Sequence, residues 1–205
     1  LGRVTVVPIA NPIGFSQFVH GEMLGRFDFL SGGNFNRNFP DLAGRVLQHF
    51  TSASTDAPLT RASVAARYRA TLKSTRAEGA AHELRSALLD LAADADIVVD
   101  CHCDGESLLH IYAQEEGGET ARLLGGLLGC PVVLLSAAVH SGSFDDALSN
   151  FWKRIETGLP GFHCSRRFFA ATVEFRGRNS VCDQTARGDA EALMAFLVRQ
   201  GVVRG

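Results

Sequence analysis

The 205-residue chain carries a net charge of −2, and it is 46% hydrophobic and 20% charged. This composition is ordinary for a globular domain, and the length suffices to bury a core. The charge gives no electrostatic reason to expect nucleic acid or an anionic membrane as a partner, and no apolar run reaches the roughly 18 residues that a membrane span needs. Five irregularly spaced cysteines argue against a disulfide framework and predict a reducing, cytoplasmic location.

The first half of the chain predicts a strand, a long loop and two helices. Residues 3–9 are rich in β-branched residues and indicate a buried strand that ends in a turn at residues 11–14. Residues 15–41 show no clean period and contain several glycines, so they predict a long loop, and long loops inside compact domains usually serve function. Residues 61–75 and 80–93 have the composition and apolar spacing of helices.

The second half alternates short apolar runs with segments of helical spacing. Four runs predict strands and three segments predict helices. The strands are residues 97–102, 108–112, 131–135 and 170–175, and the helices are residues 120–128, 144–157 and one that begins near Asp189. The first of these strands is apolar throughout its start, which is typical of a strand covered on both faces. The alternation predicts an α/β fold with a mixed, largely parallel sheet flanked by helices.

The segment at residues 34–42, Asn-Phe-Asn-Arg-Asn-Phe-Pro-Asp-Leu, places an amide beside a guanidinium in a loop bounded by Gly and Pro. A rigid guanidinium fork next to an amide is suited to binding a carboxylate. We therefore expect Asn36 and Arg37 to bind a substrate carboxylate. The alternative is a pair that only stabilises a turn.

Two further positions carry chemistry. His102 lies where a strand gives way to a polar loop, and binding sites in open α/β sheets gather outside the carboxyl ends of strands. Asp100 lies two residues earlier, faces the same side and could orient the imidazole, although the two could also be a plain polar pair. Glu174 lies within an apolar strand, a costly place for a carboxylate without a partner. It is either a general base or a core residue paired with Arg176.

The remaining cysteines and histidines give no metal pattern. Cys101 and Cys103 flank His102 but point to the opposite side of a strand, so we expect them to be buried small residues. No pair with the spacing of a structural zinc site completes them. The other histidines, His110 among them, show no ligand spacing and are expected to be structural or exposed.

In this order, the segments resemble the succinylglutamate desuccinylase/aspartoacylase family of the zinc carboxypeptidase clan. The resemblance runs from residues 6–15 (VVPIANPIGF) through GRFDF, NFNRNFPDL and DCH to TVEFRG and the last helix. It implies a zinc-carboxypeptidase-like core with His102 as a Zn²⁺ ligand and Glu174 as the general base. It also implies that Asn36 and Arg37 hold the substrate carboxylate, and that Arg26 polarises the scissile carbonyl.

The chain departs from the family at one point. The family's other two zinc ligands come from a His-x-x-Glu motif upstream of the first strand, and residues 20–22 (His-Gly-Glu) do not match that motif. We therefore expect residues 1–205 to be a single catalytic-core domain, truncated at both ends. The other zinc ligands would then lie upstream of Leu1, and a β-rich domain would follow the printed chain.

The resemblance implies a zinc-dependent amidohydrolase that removes the acyl group from a small N-acyl amino acid, by a metal-activated water and a Glu base. A metallocarboxypeptidase is the alternative with the same chemistry. A carboxylate-binding module that lacks the zinc site and has no catalytic activity is the alternative from another class. No nucleic-acid or membrane partner is expected, and both a monomer and a homo-oligomer stay open.

Overall fold

The computed structural model describes residues 1–52, 59–75, 79–137, 142–164 and 167–205. Its helices and strands are, in chain order, α1 (Pro12–Phe15), β1 (Phe18–Val19), β2 (Glu22–Met23), α2 (Ala43–Ser52), α3 (Arg61–Ser74), α4 (Ala80–Ala92), β3 (Ile97–Asp104), β4 (His110–Gln114), α5 (Gly118–Leu128), β5 (Val132–Ser136), α6 (Phe144–Gly158), β6 (Phe169–Gly177) and α7 (Asp183–Arg199). The predicted α/β class with a mixed sheet is confirmed. None of the described helices is long and apolar enough to cross a bilayer.

The described residues divide into two compact units. One comprises the described parts of residues 1–7, 98–139 and 169–205, and the other the described parts of residues 8–97 and 140–168. The first unit contains the four-stranded sheet with α5 and α7, and the second contains the other helices and the β1–β2 hairpin. We call them the sheet unit and the helical unit.

The sheet has the strand order β3-β6-β4-β5. β4 runs parallel to β5, with His110 opposite Val132, and antiparallel to β6, with His110 opposite Glu174. Ile111 and Val173 are fully buried, and Ile111 lies below α5. Because side chains alternate along a strand, this face is the core, whereas Tyr112 on the other face is 45% exposed.

The helical unit is packed around Trp152, which is 1% exposed. Phe162 stacks on its indole with ring centroids 6.5 Å apart, and the guanidinium of Arg61 lies 4.1 Å from the ring centroid. Arg61 opens α3, which Thr60 caps by accepting a hydrogen bond from the backbone N–H of Ser63. Aromatic burial and a cation–π contact therefore join α3 to α6 in this unit.

Most of the predicted helices and strands are present, but the predicted buried strand at residues 3–9 is wrong. This segment is not a strand, and Val6 is 76% exposed and Val7 42% exposed. β-branched residues favour a strand only where a neighbouring strand satisfies the backbone, and within the described residues no strand pairs with this segment. Residues 15–41 are not wholly a loop either, since they include the hairpin of β1 and β2.

Four local features also differ from what the sequence predicts. The last helix begins at Asp183, so Asp189 lies inside α7 rather than at its N-terminus. The sequence does not predict helix α2, which is present in the structure and buries Val46 fully. Cys101 and Cys103 are exposed, because one side of β3 is open in the described structure. For the same reason, β3 is not a strand covered on both faces.

Candidate functional site

The end of β3 carries an oriented imidazole in the sheet unit. Nε2 of His102 lies 2.9 Å from Oδ2 of Asp100, so this ring N–H donates to the carboxylate. The two residues are two apart on a strand and share a face, as the sequence predicted. The hydrogen bond settles which ring nitrogen carries the hydrogen and how the ring is turned.

Glu174 faces this imidazole from the neighbouring strand β6. Its Oε1 lies 3.7 Å from Nδ1 of His102, and its side chain is 15% exposed. Its Oε2 is buried and has no hydrogen-bond partner among the described residues. Burial raises the pKa of the Glu174 carboxyl, and the His102 ring acts in the opposite direction. The pKa of this carboxyl therefore lies above that of an exposed glutamate.

The alternative pairing of Glu174 with Arg176 is wrong. Arg176 donates to both carboxylate oxygens of Asp189 on α7, with N–O distances of 2.7 and 3.1 Å. The backbone of Arg176 is left-handed, with φ at 69°, and this breaks the regular alternation along β6. The expectation that Glu174 and Arg176 point the same way assumed a regular strand.

The structure adds His110 to this neighbourhood. It is the residue of β4 opposite Glu174, and its Nδ1 lies 2.8 Å from the carbonyl oxygen of Leu108. The sequence predicts a structural or exposed role for His110, because this residue has no metal-ligand spacing to another histidine. No local signal could have found it, since its position beside Glu174 depends on the register of two strands far apart in the sequence.

The segment at residues 34–42 lies in the helical unit and is anchored by two phenylalanines. Phe35 and Phe39 are 6% and 8% exposed, so the residues between them are held at the surface. Oδ1 of Asn36 accepts a hydrogen bond of 3.0 Å from the backbone N–H of Phe144, the first residue of α6. Nη1 of Arg37 donates to the carbonyl oxygen of Asn36 at 2.6 Å.

Arg26 is exposed and lies next to this segment. Its carbonyl oxygen accepts a 3.1 Å hydrogen bond from the N–H of Phe35. The structure therefore brings Arg26, Asn36 and Arg37 into one region of the helical unit, and His102 and Glu174 into one region of the sheet unit.

Comparison with solved structures finds relatives of this fold, whereas no family model and no curated protein matches the chain. A protein described as a candidate succinylglutamate desuccinylase/aspartoacylase from Shewanella frigidimarina NCIMB 400 matches with a TM-score of 0.74 and 24% identity, over 96% of this chain and 54% of that one. A protein described as a candidate member of the same family from Shewanella amazonensis SB2B matches with a TM-score of 0.74 and 25% identity, over 96% and 55%. The chain resembles the succinylglutamate desuccinylase/aspartoacylase family. The resemblance predicted from the motifs is thus confirmed.

A more distant match shares the fold alone. The ectoine utilization protein EutE (DoeB) from Ruegeria pomeroyi, in a product-bound structure, matches with a TM-score of 0.52 and 17% identity, over 94% of this chain and 46% of that one. The chain therefore spans about half the length of the solved structures that it matches.

For a desuccinylase/aspartoacylase-like core, the residues present fit a zinc ion in part. His102 has the features of a zinc ligand, because a ligating imidazole usually donates its other N–H to a carboxylate. Nδ1 of His102 and Oε1 of Glu174 face each other. Both atoms carry lone pairs, so a proton or a cation could be bound between them. In the described part of the chain, however, no group of three or more His, Cys, Asp or Glu side chains could hold a metal ion. The described residues therefore offer one side chain suited to zinc, His102, and do not by themselves form a complete zinc site.

Proposed function

We propose that the chain is the catalytic core of a zinc-dependent amidohydrolase that removes the acyl group from a small N-acyl amino acid. One observation carries the proposal. Glu174 holds a buried, unpartnered carboxyl oxygen beside an imidazole that Asp100 orients. A half-buried carboxyl with one oxygen left without a hydrogen-bond partner is unfavourable for the fold alone, and such groups gather at functional sites.

Glu174 is the proposed general base and acid. Its carboxylate accepts a proton from the attacking water, and it then donates that proton to the nitrogen of the leaving amine as the C–N bond breaks. The raised pKa of Glu174, caused by burial, suits both directions of transfer. When bound, zinc would supply Lewis acidity to the water and the carbonyl group.

His102 is the proposed zinc ligand within this chain. Asp100 holds the ring in place through Nε2, so the side of the ring that bears Nδ1 faces Glu174. A catalytic zinc site needs about three protein ligands, so two more are required besides His102.

Substrate binding is assigned to the helical unit by resemblance to the family. Arg37 and Asn36 are proposed to bind the substrate carboxylate, since guanidinium and amide N–H groups match its oxygens. Arg26 is proposed to polarise the scissile carbonyl as negative charge develops on its oxygen. All five cysteines are free in the described chain, which supports the further proposal of a cytoplasmic location.

The decisive experiment measures bound metal and turnover in the full-length protein. We expect about one zinc per chain, loss of that zinc in His102→Ala, and hydrolysis of an N-acyl amino acid by the wild type. Glu174→Gln should retain zinc and lose roughly 10²- to 10⁴-fold in kcat. Glu191→Gln, an exposed position on α7, is the matched control and should keep both. Equal turnover in the Glu174 and Glu191 variants would refute the assigned base.

A carboxylate-binding module without catalysis is the second candidate. It requires that no further zinc ligands join His102 in the full-length protein. On that alternative, the full-length protein would take up no zinc and would still bind a carboxylate, and Arg37→Ala would abolish that binding. Turnover of peptides with a free C-terminus, but not of N-acyl amino acids, would instead identify a metallocarboxypeptidase.

A further inference from the structure

The residue opposite Glu174 on β4 is His110, and their positions are set by the antiparallel register of β4 and β6. Directly opposed residues project from the same face of a sheet, with Cβ atoms about 4.5–5.5 Å apart. His110 therefore shares the face of the sheet that carries Glu174. The charge of a protonated His110 would lower the pKa of the Glu174 carboxyl, which is the effect expected of a near neighbour.

The His110 ring is held in one orientation. Nδ1 lies 2.8 Å from the carbonyl oxygen of Leu108, and because a carbonyl only accepts, Nδ1 carries the hydrogen. The ring of Tyr112 meets the imidazole edge-on, with ring centroids 5.0 Å apart. In the neutral ring, Nε2 then has a lone pair and points away from Leu108. Within the described residues, no hydrogen bond reaches Nε2.

We propose that His110 is a substrate-contacting residue whose Nε2 accepts a hydrogen bond from the N–H of the scissile amide. The inference rests on the proposed function, and it adds that His110 recognises the N–H of the scissile amide of the substrate. Every secondary N-acyl amino acid has this N–H at the bond to be broken, whereas its carboxylates have no hydrogen to donate.

The contact would set the direction of proton delivery. Glu174 must protonate the amide nitrogen on its lone pair, so the N–H has to point elsewhere. Nε2 of His110 provides an acceptor on the same face of the sheet as Glu174. A hydrogen bond to it would hold the N–H there and leave the nitrogen lone pair directed toward the carboxyl group. His110 itself neither gains nor loses a proton in the step.

The test compares an amide with the matching ester. The ester carries the same acyl group and the same side chain, but an oxygen replaces the N–H, so it has nothing to donate to His110. In the full-length zinc-loaded protein, we expect His110→Phe to lower kcat/KM about tenfold on the amide and to stay within about twofold on the ester. His110→Gln, which keeps an acceptor oxygen, should recover part of the loss on the amide.

Tyr112→Leu serves as the matched control, because it removes the ring that packs on His110, while the hydrogen bond from Nδ1 to the Leu108 carbonyl still orients Nε2. Its effect should be the same on both substrates. Equal losses of His110→Phe on amide and ester, or no loss on the amide, would overturn the inference and leave the proposed function intact. Failure of the wild type to hydrolyse either substrate would instead overturn the proposed function, and the inference with it.

Discussion

Asn36 joins the loop at residues 34–42 to α6, and its substitution tests whether that contact is structural, functional or both. The N–H of Phe144 opens the helix and has no intrahelical partner. The side chain of Ser143 at the N-cap makes no capping hydrogen bond, and its hydroxyl donates to Asp145. Oδ1 of Asn36, 108 residues away in sequence, accepts this N–H at 3.0 Å.

We expect Asn36→Ala to lower the free energy of unfolding by about 1 kcal/mol, the usual cost of losing a helix-capping acceptor. For a chain of this size, that corresponds to a fall in Tm of about 2–4 °C. Asn36→Asp keeps an acceptor oxygen at the N-terminus of α6, so it should lie closer to the wild type in stability. Asn36→Asp, however, places a carboxylate where the substrate carboxylate is proposed to bind. The KM of Asn36→Asp should therefore rise at least as much as the KM of Asn36→Ala.

Urea denaturation followed by circular dichroism measures the first effect, and steady-state kinetics on an N-acyl amino acid measures the second. Wild-type stability in Asn36→Ala would refute the capping contact. A KM unchanged in Asn36→Asp would refute the substrate role and leave the capping role in place.

Three further predictions concern the fold. Gly125 and Gly126 are adjacent on α5, but a Cβ added at Gly125 would lie 2.9 Å from a methyl group on β5, whereas a Cβ added at Gly126 would meet no atom within 4 Å. In thermal melts, Gly125→Ala should therefore lower the stability of the fold, and Gly126→Ala should raise it by about 0.5–1 kcal/mol. Asp189→Ala should cost about 2 kcal/mol, because it removes both charge-assisted hydrogen bonds to a partly buried arginine. The hydroxyl of Ser31 lowers the pKa of Asp28, so Asp28→Ala should be less stable than the wild type at pH 7 and equal to it well below pH 4.

The pH dependence expected for Asp28→Ala comes from the lowered pKa of the Asp28 carboxyl in the folded state. A carboxyl whose pKa is lower in the folded state stabilises the fold above the unfolded pKa, and that stabilisation is lost as pH falls through the folded pKa. A constant difference between variant and wild type across this range would contradict it. For α7, Glu191→Ala is the control for Asp189→Ala, since Glu191 is exposed on the same helix. Equal melting temperatures of these two variants would contradict the assigned ion pair.

Sequence patterns located most of the regular structure from residue 61 onward. Helices α3 and α4 lie within two residues of their predicted bounds. Helix α5 ends at Leu128, and the next residue, Gly129, has a left-handed backbone with φ at 64°. These features depend on local propensity, spacing and glycine, all of which are visible in a short window. The predicted strand at residues 3–9 failed because a strand also needs a partner, which local propensity does not provide.

In the candidate site, too, some features follow from the local sequence and others depend on contacts between distant segments. The sequence by itself determined that Asp100 and His102 share one side of a strand, because the period of two is local, and that Glu174 lies inside an apolar strand. Only the tertiary structure decided that Glu174 faces His102 and His110, that Arg176 turns to Asp189, and that Asn36 accepts from α6. Those contacts join distant segments through strand register and one left-handed residue, and neither is encoded in the neighbouring residues.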